Sequence, residues 1–149
     1  MYTERYTYLK TRRISKMIKL FIGGKGSGKT KTLIEMVNNA VTESKGNVVC
    51  IEKGDKLIHD ITYKARLIDT DAYSVTDAEA LYGFIAGILA SNSDITDIFV
   101  DSGLKIVGND VEAFEKMLGK LDKITAEVNL VMTSSIAVEE CPDGIKAYV

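Results

Sequence analysis

A short apolar run, Ile18–Ile22, leads directly into Gly23-Gly24-Lys25-Gly26-Ser27-Gly28-Lys29-Thr30, and an amphipathic pattern follows at once. This junction restricts the fold more than any other feature of the chain. The run, broken only by Lys19, reads as a buried strand. Beyond the glycines, Leu33, Ile34, Val37 and Val41 recur at helical spacing, which predicts a helix from about Lys29 to Ser44. Glycine permits backbone angles that a Cβ forbids, so successive N–H groups can turn toward one anion. The helix that follows points its positive dipole end at the same place. The spacing fits G-x-x-x-x-G-K-[ST], in which each part has a physical task. Lys29 would bridge terminal phosphates as a point charge. The Thr30 hydroxyl would complete the shell of a Mg²⁺ that keeps most of its waters. Lys25 is expected to face solvent or phosphate rather than to read a base.

The remainder of the chain alternates strands with helices. Ser44-Lys45-Gly46-Asn47 ends the first helix, with Gly46 suited to a left-handed cap. Val48–Ile51 reads as a strand buried on both faces, and Cys50 within it as a small buried hydrophobe. Residues 53–76 carry little pattern apart from a short strand at Ala65–Ile68. Thr76-Asp77-Ala78-Glu79 resembles a capping box that opens a helix running to about Ala90. Ile98–Val100 is the next strand and ends at Asp101. A helix over about Asp110–Lys123 follows, then a strand at Leu130–Met132 that ends in Thr133-Ser134-Ser135. Pro142-Asp143-Gly144 marks a turn, and Ile145–Val149 is expected as the last strand. Such alternation predicts an α/β fold, a three-layer α/β/α arrangement around a mainly parallel five-stranded sheet.

Composition bounds the function classes. The 149 residues suit one domain, expected over 17–149, and 46% are hydrophobic and 27% charged, as in ordinary globular chains. The longest apolar run, Ala80–Ala90, is 11 residues long, too short to span a bilayer. Residues 1–16 carry five basic side chains against Glu4, a charge of +4, so the remainder carries −6 of the net −2. This basic leader reads as a disordered tail or an upstream start assigned in error, since Met17 opens the first strand; a nucleic-acid arm is the alternative. The acidic body argues against broad binding to a phosphate backbone. Cys50 and Cys141 form no metal or disulfide framework, and a reduced, cytoplasmic setting is expected. The single histidine, His59, has no partners of the kind a metal site needs.

With these residues in view, the chain resembles the P-loop NTPase superfamily. Gly23–Thr30 matches its Walker A loop, and Asp97-Ile98-Phe99-Val100-Asp101 looks like a Walker B strand. The likeness implies that Asp101 holds Mg²⁺ through water. At least one strand, Val48–Ile51, falls in the chain between the loop's helix and the Walker B strand. That order resembles the RecA-like branch, whose core sheet places an extra strand between those two. Many relatives carry a glutamate directly after the Walker B aspartate, whereas this chain has Ser102. By the same resemblance Glu52, at the end of the second strand, becomes the candidate base for the attacking water, and Thr133 the candidate γ-phosphate sensor. Hydrolysis also needs positive charge on the transferring group. Outside the leader the only arginine is Arg66, which would act across a subunit interface.

Three functions follow as expectations. The first is an ATP-Mg²⁺ hydrolase, slow or stimulated by a partner, that acts as a switch or small motor through a protein partner or a homo-oligomer. The second is a module that holds ATP without cleaving it. The third is a thymidine kinase-like small-molecule kinase, against which stand the missing zinc cysteines and the missing arginine lid. Glu52-Lys53-Gly54-Asp55 is a poor match to the guanine-reading N-K-x-D, so ATP is expected rather than GTP.

Overall fold

Side-chain direction alternates along the strands, and since residues 48–52 and 130–134 are buried without a break, the core divides between the two faces of one sheet. The computed structural model describes residues 18–149; the leader over residues 1–16, and Met17, lie outside the described residues. The elements are β1 (Ile18–Ile22), α1 (Lys29–Glu43), β2 (Asn47–Glu52), β3 (Arg66–Asp69), α2 (Ala78–Ser91), β4 (Ile95–Val100), α3 (Gly103–Ile106), α4 (Val111–Ile124), β5 (Asn129–Ser134) and α5 (Asp143–Lys146). Val48 and Cys50 face α1, where Leu33 and Val37 pack with Phe99, Val131, Leu57 and Ile61. Val49 and Ile51 point the other way, as the two-residue strand period requires. There they meet Leu81 and Ile85 of α2 and Phe114, Met117, Leu118 and Leu121 of α4. Helices thus cover both faces of a five-stranded parallel sheet, giving the three-layer α/β/α class. Cys50 is fully buried, and burial pushes its thiol up to about 12, so it packs as a small hydrophobe. Among the described residues no helix is long and apolar enough to cross a membrane.

The strand order is β1-β5-β4-β2-β3. The neighbour that separates β1 from β4 is β5, whereas Val48–Ile51 lies on the far side of β4. The order is not strictly RecA-like, because β1 stays at the sheet edge. The strand expected at Ile145–Val149 does not form. Instead Lys146 N–H and Ala147 N–H close helical bonds to Pro142 O and Asp143 O, and Ile145 is fully buried. At the outer edge of β1, Leu20 N–H donates to Tyr148 O at 2.8 Å.

Two helix ends also differ from expectation. The cap of α2 is Asp77, whose Oδ1 accepts from Ala80 N–H at 2.8 Å, one residue past the Thr76 that a capping box requires. Asp110 caps α4 in the same way. Gly46 is not left-handed. Glycine stands there because a Cβ would collide with the Asp94 carbonyl oxygen and the Thr96 side chain. Backbone cannot yield as a flexible side chain does, so Gly46→Ala is expected to cost about 1–3 kcal/mol. Urea denaturation checks this, with the midpoint falling at unchanged slope.

Candidate functional site

The turn out of β1 uses glycine where other residues are strained. Gly26 and Gly28 sit at φ 80° and 85°, in the left-handed region. Gly28 precedes α1 and no side chain caps the helix, so its first-turn N–H groups have no intrahelical acceptor. Lys29 folds back over the loop. Its Nζ donates to Gly23 O (2.9 Å), Gly24 O (2.8 Å) and Ser27 Oγ (3.1 Å). The ammonium therefore stands inside the ring of main-chain groups and ties the loop together.

The carboxyl ends of β4 and β5 meet this loop. Thr30 Oγ1 donates to Asp101 Oδ1 at 3.1 Å, across 71 residues of chain. Thr133 Oγ1 donates to the same Oδ1 at 2.8 Å and accepts from Ser102 N–H at 2.8 Å. Asp101 is braced from below, because its N–H donates to Ile51 O at 2.9 Å. One carboxylate thus collects hydroxyls from α1 and β5, at the strand ends where parallel sheets hold ligands. A Thr hydroxyl beside a carboxylate is a hard oxygen pair that fits Mg²⁺. Among the described residues no three His, Cys, Asp or Glu side chains gather as a metal site. A cation here would need waters and ligand oxygens to complete its shell.

A cavity of about 680 Å³ opens over the loop. Thr30, Ser102 and Thr133 line it, together with Lys25, Lys29, Lys31, Lys56 and Lys105. Five lysines and no carboxylate on the wall suit a polyanion. The sequence marks Lys25 and Lys29 through the loop motif. It gives no sign of Lys56 or Lys105, whose approach depends on how residues 53–57 and α3 return to the cavity. Arg66 opens β3, at the sheet edge away from β1 and at the opposite strand ends from the cavity. Among the described residues Arg66 is the only arginine, and it does not line the cavity. His59 is exposed.

Glu52 ends β2 next to Asp101 but does not line the cavity. It is 2% exposed, and its Oε2 accepts from Leu57 N–H at 3.1 Å. Burial pushes its carboxyl above the ordinary value. The Leu57 N–H pulls the other way, Asp101 adds to the rise, the Lys56 N–H opposes it and Asp69 adds to it again. The folded state therefore holds this proton more tightly than the unfolded state does. Stability from Glu52 is full at pH below the ordinary glutamate value and is lost as pH rises through the raised value. Glu52→Gln keeps an acceptor for Leu57 and deletes the titration. Its melting midpoint, relative to wild type, is expected to climb between pH 4 and pH 8, and thermal scans at both pH values check this.

No protein-family model matches the chain, and a search of curated proteins finds no match.

Proposed function

We propose that the chain binds ATP with Mg²⁺ over residues 23–30 and hydrolyses it slowly, or at a rate raised by a protein partner or a second copy, as a switch or small motor. The observation that carries this reading is the meeting of Thr30 and Thr133 on the Asp101 carboxylate beside the lysine-lined cavity. Loop N–H groups and Lys29 hold the phosphates, and Thr30 with Asp101 is the pair that would hold the metal. When bound, Mg²⁺ draws charge from the β- and γ-phosphate oxygens. Water adds to the γ-phosphorus as the bond to the β,γ-bridging oxygen breaks, giving ADP, inorganic phosphate and a proton lost to solvent.

A second reading, ATP held without cleavage, has its own support. Ser102 follows Asp101 where a carboxylate base would stand, and the Thr133 hydroxyl is already engaged by Asp101 and Ser102. Calorimetry with ATP, with and without Mg²⁺, followed by a phosphate-release assay, separates the readings. Mg²⁺-dependent heat with slow release is the expected result. Heat without release selects the second reading, and phosphate transfer to an added nucleoside selects a kinase. Absence of heat with both ATP and GTP on folded protein sinks all three. Binding should also raise the melting midpoint, since ligand at a hundred times Kd adds about 2.7 kcal/mol.

A further inference from the structure

We propose that Lys56 supplies, from within the same chain, the positive charge on the γ-phosphate that an arginine would otherwise bring, and that Glu52 is the positioning residue that holds it there. This rests on the ATP reading above.

Lys56 lines the cavity, together with Lys29, from the loop that leaves β2. That loop is pinned on both sides of it. Gly54 N–H donates to Asp69 Oδ1 at 2.7 Å, and Leu57 N–H donates to the buried Glu52 carboxylate. Leu57 itself is buried against the α1 face, and Asn38 of α1 holds the continuation of the loop through Asp60 O and Thr62 N–H. The neighbouring Lys53 is committed to Asp71 at 2.6 Å. Among the described residues no carboxylate pairs with the Lys56 ammonium. A lysine on a braced backbone, unpaired and facing a phosphate-sized cavity, is ready for an anion.

The Glu52 geometry has the same explanation. A buried carboxylate is costly unless it is hydrogen-bonded, and this one accepts main-chain N–H groups from the segment that carries Lys56. It lies one residue beyond the Ile51–Val100 pair of β2 and β4, so it anchors the loop at the strand ends where Asp101 emerges. Charge gathers on the γ-phosphoryl and bridging oxygens as water adds and ADP leaves, and an ammonium fixed beside them lowers that barrier. Lys105 also lines the cavity, on the four-residue α3 just beyond Asp101. Its neighbour Leu104 N–H donates to the buried Ser134 Oγ at 3.2 Å, a neutral hydroxyl, whereas the Lys56 loop is held by a buried carboxyl, and for that reason Lys56 is chosen.

The test compares ATP and ADP affinities by calorimetry, then turnover, for wild type, Lys56→Ala, Lys56→Arg, Glu52→Ala, Glu52→Gln and the exposed control Lys116→Ala. Lys56→Ala is expected to weaken ATP about tenfold while sparing ADP, and to lower kcat about 100-fold with a smaller change in KM. Lys56→Arg should recover most of both. Glu52→Ala should follow Lys56→Ala. Glu52→Gln, which keeps an acceptor for Leu57, should recover most of what Glu52→Ala loses. If Glu52→Ala does not fold, the Lys56 variants and Glu52→Gln still decide. An unchanged ATP-to-ADP ratio in Lys56→Ala overturns the proposal. Loss of turnover in Glu52→Gln with ATP binding intact returns Glu52 to the role of base. A wild-type chain that binds neither nucleotide overturns the ATP reading itself, which is a different outcome from a wild type that binds both alike in every variant.

Discussion

Lys29→Ala is expected to weaken ATP binding roughly 100-fold while the chain stays folded. On the proposed ATP reading, two or three charge-assisted hydrogen bonds to phosphate would be lost, each larger than a neutral one, and every 1.4 kcal/mol is tenfold. Turnover by any residual complex should fall by about another 100-fold, since on the same reading this ammonium would stabilise charge in the transition state. Stability should change little. Lys29 is half-buried, and the Gly23 and Gly24 carbonyls it releases stand at a loop surface where water replaces it. Calorimetry and phosphate release on one preparation, with a melting curve for each, check all three statements. Phosphate release that survives Lys29→Ala at the wild-type rate would have to come from a contaminating enzyme.

Phe114→Ala is expected to have the largest effect on stability, about 3–5 kcal/mol. That is a large part of the 5–15 kcal/mol that usually separates a folded domain from its unfolded state. Phe114 is fully buried on α4, in the cluster with Leu118, Leu121, Leu130 and Met132. Its ring also lies against Gly103, where a Cβ would meet Phe114 Cε2 at 3.3 Å. Gly103 opens α3 directly beyond Asp101 and Ser102. The cavity left by Phe114→Ala therefore lies beneath the segment that shapes the candidate site. Urea denaturation measures the loss. The exposed Lys116→Ala on the same helix should stay within about 0.5 kcal/mol of wild type.

Much of the fold was legible because apolar spacing follows directly from burial. The run Ile18–Ile22, the Leu33–Val37 stripe and the Phe114–Leu121 stripe each contain enough residues to show their period, and the structure has a strand and two helices there. Short signals were less informative. Ile145–Val149 reads as a strand, but a helical turn, Asp143–Lys146, forms behind Pro142, and of the five residues only Ile145 and Tyr148 are buried. At Gly46 the residue type was plain, and its reason was not: the constraint comes from Asp94, 48 positions away in the chain.

The sequence by itself determined the glycine-rich turn with Lys29 and Thr30, and the α/β alternation, because these depend on neighbours a few residues apart. Tertiary structure alone decided which strand separates β1 from β4, which threonines share the Asp101 carboxylate, and which lysines face the cavity. It also tied Glu52 to the loop of Lys56 rather than to the cavity wall. Those outcomes depend on contacts between segments distant in the chain, and sequence periodicity reports which face of an element is buried but not what that face meets.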